Sequence, residues 1–113
     1  MNLVFKCFKS VTYYLIVITM KVRTLFISDT HIGSDYCNHE KLLKLLSEVE
    51  CEYLYIVGDF IDGWILSRKF KWHSNYNTIL QKILRMSRKG TQVYYVWGNH
   101  DDFIEPFTDI YFG

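Results

Sequence analysis

Apolar positions along the chain alternate between two rhythms. Three runs of four to eight residues, at 22–28, 53–57 and 92–97, are rich in Val, Ile, Leu, Tyr and Phe and read as β-strands. Between the first two lies 39–50, where Leu42, Leu45, Leu46 and Val49 fall at i, i+3, i+4 and i+7 and line one face of a helix. Between the second and third, Tyr76, Ile79, Leu80 and Ile83 repeat that spacing, Leu84 widens the stripe, and Gly90 stands where a helix C′ residue belongs. The order strand, helix, strand, helix, strand predicts an α/β fold with right-handed crossovers and parallel strands. Two helices leave one face of such a sheet poorly covered, which is unusual for parallel strands.

The polar punctuation of this pattern carries the chemistry. Each strand run is followed at once by a short acidic or imidazole phrase: Asp29-Thr30-His31, then Gly58-Asp59-Phe60-Ile61-Asp62-Gly63, then Gly98-Asn99-His100-Asp101. The carboxyl ends of parallel strands share one edge, where chemistry in open α/β sheets collects. Asp29 and His31 are two apart, so an extended backbone turns both to one side, as a cation requires. Asp59 follows a glycine that permits a tight turn, and its two oxygens can bridge two ions. Asp62 is expected to brace the loop by hydrogen bonds, while Gly58, Gly63 and Gly98 serve turn geometry. Asn99 offers a neutral amide oxygen. His100 beside Asp101 reads as a charge-assisted pair in which the acid orients the ring for proton transfer. Oxygen and nitrogen ligands without thiolate favour Mn²⁺, Fe²⁺ or Zn²⁺ over copper or iron–sulfur chemistry.

Charge and composition narrow the classes. The chain has 113 residues, half of them hydrophobic, and a formal net charge of +1, which describes at most one globular domain and demands no nucleic-acid partner. Cys7, Cys37 and Cys51 show no metal-binding spacing and read as reduced thiols of a cytosolic protein. Over 63–100 there is no Asp or Glu, while Arg68, Lys69, Lys71, Lys82, Arg85, Arg88 and Lys89 all fall there. A solvated face accounts for most of them. The sharper reading draws in an anionic substrate or an anionic membrane surface, with Asn77, Lys82 and Arg85 as candidate substrate contacts. Trp64, Phe70 and Trp72 lie beside these charges, as local packing or as contacts to an amphiphile. At the N-terminus, Lys6 and Lys9 precede the apolar run 11–20, which no small-residue cleavage site follows and which is too short to span a bilayer. Residues 1–19 are therefore expected to be an upstream extension without a role in the fold, a weak hydrophobic anchor being the alternative.

Together the three phrases resemble the first signature blocks of the calcineurin-like metallophosphoesterases. From Met20 onward the chain is most similar to the branch of UDP-2,3-diacylglucosamine hydrolase-like proteins, through Ser28 to Gly33, Gly58 to Trp64, Trp72 to Arg85 and Gly98 to Phe103. The resemblance implies the N-terminal β-α-β-α-β half of an αββα sandwich over 20–113. It implies two divalent ions, the first on Asp29 and His31, both on Asp59, the second on Asn99. His100 protonates the leaving group or steadies phosphoryl oxygens, with Asp101 as its partner. The implied reaction is in-line hydrolysis of a phosphoester or pyrophosphate, with a UDP-acylsugar or another phosphate-containing small molecule as substrate. The expected setting is cytoplasmic, with peripheral contact to the inner membrane as the alternative that the basic stretch offers. The family's later histidines have no counterpart among His31, His39, His73 and His100, since His39 and His73 read as surface residues. The chain is accordingly expected to be a fragment that lacks the C-terminal half of its domain and is inactive alone. A non-catalytic metal-binding remnant and a nuclease of the same superfamily are the competing readings.

Overall fold

A computed structural model describes residues 3–9, 12–18 and 20–107, with side chains from residue 20 onward. β1 (Leu3–Lys9) and β2 (Thr12–Ile18) pair antiparallel as a two-stranded sheet of their own. Within the stretch expected to be an extension, these two strands form a sheet other than the one that carries the site.

That second sheet contains β3 (Met20–Ile27), β4 (Val49–Val57) and β5 (Gln92–Val96), in that order and parallel throughout. The expected strand, helix, strand, helix, strand order is what forms. Two helices connect the strands: α1 (His39–Glu48) joins β3 to β4, and α3 (Ser74–Arg88) precedes β5, with a short α2 (Gly63–Arg68) between β4 and α3. A 3₁₀ turn, Asp102–Phe107, follows the last loop.

The ends of the helices follow local chemistry. Asn38 caps α1 by accepting the Lys41 N–H. α1 stops two residues short of the expected boundary, because Val49 turns extended and pairs with Met20 at the start of β4. A β-branched residue that completes a ladder is more stable there than as one further helical position. α3 closes on Gly90 at φ +107°, with Gly90 N–H donating to Ser87 and Thr91 N–H to Met86, as the glycine's place predicts. α2 has no strong periodicity and escapes a pattern-based reading. It starts because Asp62 accepts the Ile65 N–H.

The core lies between α1, α3 and one face of the sheet. Leu42 and Leu46 of α1 and Tyr76, Ile79 and Ile83 of α3 meet Ile27, Leu54 and Ile56, closed at the carboxyl edge by Ile32 and Phe60. Leu84 is largely exposed, so the α3 stripe is narrower than its spacing suggests. The opposite sheet face is open among the described residues. There Phe26, 68% exposed, stacks on Tyr55, and Tyr55 on Tyr94, in a ladder across all three strands. His39 and His73 do more than occupy surface: their rings stack 4.2 Å apart, and His73 caps α3 by accepting the Asn75 N–H. Of the cysteines, Cys37 and Cys51 are free thiols, both pushed up from the ordinary thiol range by burial; Cys7 has no described side chain. No helix of the described residues is long and apolar enough to cross a membrane.

Candidate metal centre

The three polar phrases leave β3, β4 and β5 at the same edge, and main-chain hydrogen bonds zip the first two together beyond the strands. Asp29 N–H donates to Gly58, His31 N–H to Asp59, Ile32 N–H to Phe60, and Asp62 N–H returns to Ile32. Thr30 Oγ1 adds a bond to the Phe60 carbonyl. This pairing holds Asp29, His31 and Asp59 at φ of +54°, +48° and +51°. Non-glycine residues avoid the left-handed region, at a cost of about 1–2 kcal/mol each, and such strain clusters at functional sites. Asp29 and His31 are therefore not brought together by extended backbone, as their spacing suggests, but by left-handed residues on either side of Thr30.

The result is a compact set of ligand atoms. Donor atoms of Asp29, His31 and Asp59 all lie within 4.8 Å of one another. His31 Nδ1–H donates to Asp62 Oδ2 at 2.9 Å, and His100 Nδ1–H donates to Asp62 Oδ1 at 3.1 Å. An ionised carboxylate only accepts, so both rings carry their proton on Nδ1 and leave Nε2 free. A metal-binding histidine is commonly fixed in this way, by a carboxylate behind it. Asp62 is 3% exposed. Burial works against its charge, but hydrogen bonds from Ile65 N–H, His100 and His31 outweigh it and hold the carboxyl below its usual range. Oxygens of Asp29 and Asp59 with the free Nε2 of His31 form a donor set that suits a divalent ion of the Mn²⁺, Fe²⁺ or Zn²⁺ kind.

Asp101 has a different task from the one its sequence position suggests. It is fully buried and accepts hydrogen bonds from Asp59 N–H, Phe60 N–H, Gly98 N–H and the Tyr95 hydroxyl. Burial opposes its ionisation, yet these donors, Tyr95 foremost, lower its pKa. Burial, reinforced by the adjacent Asp101, pushes the Tyr95 phenol far up and keeps it a donor. The carboxylate behind His100 is thus Asp62, because Asp101 turns inward to tie the third loop to the second. The same two loops are also joined by the His100 N–H, which donates to Asp59 Oδ1 at 2.8 Å, and by the Gly63 N–H, which donates to the His100 carbonyl.

Gly98 and Gly63 are required by close approach. A Cβ on Gly98 would sit 2.5 Å from Asp59 Oδ1, and one on Gly63 would sit 2.6 Å from the Phe103 ring. Gly58 turns at φ +71°. Asn99 stands between Gly98 and His100, both of which touch Asp59, and it lines an open cleft with Trp64, Trp97, Gly98 and Asp102. Trp64 stacks on the His100 ring at 4.1 Å. Neither that stack nor the Tyr95 contact is legible from spacing: Tyr95 reads only as a strand residue, and Trp64 only as one of several aromatics beside basic charge.

The three candidate substrate contacts are spread along α3. Asn77 accepts the Trp72 indole N–H at 2.9 Å and braces the start of α3. Lys82 and Arg85 lie in the second half of α3, which runs from the carboxyl edge back to the start of β5, so they lie toward the opposite edge. A crossover helix must return the chain to the amino edge, which separates these cations from the acid and imidazole cluster.

Several known proteins are similar to this chain. UDP-2,3-diacylglucosamine hydrolase of Histophilus somni (strain 129Pt) is 32% identical over 82 residues, 70% of this chain and 34% of that protein. The protein of the same name from Hamiltonella defensa subsp. Acyrthosiphon pisum is 32% identical over 90 residues, 76% of this chain and 34% of that protein. Among solved structures, nuclease MPE of Pseudomonas putida is 31% identical with a TM-score of 0.42, covering 70% of this chain and 40% of that one. The chain spans about a third of the length of the curated relatives it matches. The model of the calcineurin-like phosphoesterases matches residues 22–112, a segment that takes in all three loops, and the chain belongs to that family.

Proposed function

We propose that the chain carries one half of a binuclear metal centre that hydrolyses a phosphoester or pyrophosphate bond, with a UDP-acylsugar as the substrate class. In this reading Asp29 and His31 hold one ion, Asp59 reaches both, Asn99 holds the other, and Mn²⁺ is the first candidate. The ions, when bound, neutralise phosphoryl oxygens and make a nucleophile available at neutral pH. The protein's own residues do the rest. Asp62 fixes both imidazoles through Nδ1, which leaves each Nε2 for a ligand or a proton. His100 Nε2 is placed to hold or deliver a proton at a leaving oxygen, and the Trp64 ring limits its tilt. Asp101 keeps Asp59 and the third loop in register.

The observation that carries this reading is the Asp59 carboxylate. It is pinned by the His100 N–H while lying within ligand distance of Asp29 and His31. The names of the relatives support the acylsugar substrate, and the 34% coverage of those relatives supports a domain completed by further residues. Titration of inorganic phosphate into the chain, with and without Mn²⁺, tests the proposal. Saturable phosphate binding that needs Mn²⁺ and is lost in Asp59→Asn is the expected result. Phosphate binding that is the same without Mn²⁺, or unchanged in Asp59→Asn, contradicts it.

A further inference from the structure

Beside the acid and imidazole cluster, Trp64, Trp97, Gly98, Asn99 and Asp102 line an open cleft of about 250 Å³. Its two indoles are 46% and 38% exposed. Trp64 gives one face to His100, which fixes its plane. The polar side chains of the cleft are a carboxylate and an amide, and among the described residues no cation lines it. This composition excludes several occupants. A phosphate would meet the Asp102 carboxylate without a compensating positive charge, and an acyl chain would leave Asp102 and Asn99 desolvated and unpaired. A flat heteroaromatic ring suits all of it. Its π-face stacks on indole, its N–H groups donate to Asp102, and its mixed donor and acceptor edge meets the Asn99 amide.

We propose that the Trp64–Trp97 cleft is a nucleobase subsite, which places the base of a nucleotide substrate beside the centre that holds its phosphate. The phosphate's position rests on the phosphoester reading, but the occupant of the cleft does not. The Gly98-Asn99 turn couples the two: Asn99 lines the cleft, and Gly98 packs against Asp59. A base held there orients the adjoining phosphoester chain toward the cluster.

The chain has three tryptophans, so its indole N–H spectrum holds two reporters in the cleft and one outside it. Trp72 donates its N–H to Asn77 and serves as the folding control. Uridine, adenosine and ribose are titrated separately into the full chain. A nucleoside moves the Trp64 and Trp97 signals saturably and leaves Trp72 in place, while ribose moves none. Trp97→Ala weakens nucleoside binding about tenfold, as loss of one base–aromatic stack does, with the Trp72 signal at its wild-type position. The proposal is overturned if neither nucleoside shifts the two indoles, if Trp97→Ala binds as wild type, or if a short-chain phospholipid shifts them and nucleosides do not. UMP with Zn²⁺ that binds no tighter than uridine counts against the phosphoester reading while the base subsite stands.

Discussion

The main-chain N–H of Asp59 points at the buried carboxylate of Asp101, 3.1 Å away and 42 positions along the chain. Three further donors converge on that carboxylate, so this side chain gathers four of the hydrogen bonds around the junction of the second and third loops. Removing it leaves several buried donors unpaired, each at about 1–3 kcal/mol. Asp101→Ala is expected to lower the unfolding free energy by on the order of 3 kcal/mol, read from the urea midpoint. The pH dependence has a definite sign. The folded carboxyl titrates below its unfolded value, so its contribution is complete above the unfolded pKa of about 4 and fades as pH falls toward the folded one. Between neutral pH and roughly pH 3 the wild type loses more stability than Asp101→Asn. Equal losses in the two proteins would separate Asp101 from acid unfolding.

Asp29 stands in the left-handed region with its side chain mostly exposed. Glycine removes that steric strain, about 1–2 kcal/mol, and returns part of it through a freer unfolded chain, about 0.5–1 kcal/mol. Asp29→Gly is expected to raise stability by up to about 1 kcal/mol while weakening Mn²⁺ binding. A melting temperature that falls in this variant contradicts the strain argument.

Asp62 grips two imidazoles through Nδ1 and caps α2. Loss of the cap lowers stability by about 1 kcal/mol. Freed rings no longer present Nε2 in a fixed direction, and loss of such a carboxylate weakens metal affinity about 10–100-fold. Asp62→Ala should therefore show both effects, by thermal melt and by Mn²⁺ titration. Unchanged Mn²⁺ affinity would remove Asp62 from the centre.

Much of this was legible because strand ends in a parallel sheet share an edge. Once 22–28, 53–57 and 92–97 are strands, Asp29, Asp59 and Asn99 must emerge together. What stayed hidden depends on the loops after the strands. His100 and Asp101 are neighbours in sequence, yet their side chains diverge, one to Asp62 and one to buried main-chain donors. Adjacency in a turn says little about contact. The left-handed backbone at Asp29, His31 and Asp59 follows from pairing between two loops, which no local pattern encodes. Val49 fits the α1 stripe, and only its ladder partner, Met20, draws it into β4. Lys82 and Arg85 lie on α3, but which edge of the sheet they reach depends on the direction of the helix.

The central claim is that Asp29, His31 and Asp59 form one cation site whose geometry Asp59 anchors. Mn²⁺ binding to the chain, followed by the loss of the free-ion paramagnetic resonance signal, tests it most directly. Wild type is expected to bind saturably, Asp59→Asn at least about tenfold more weakly, and Asn77→Ala like wild type. Equal affinity in wild type and Asp59→Asn would contradict it.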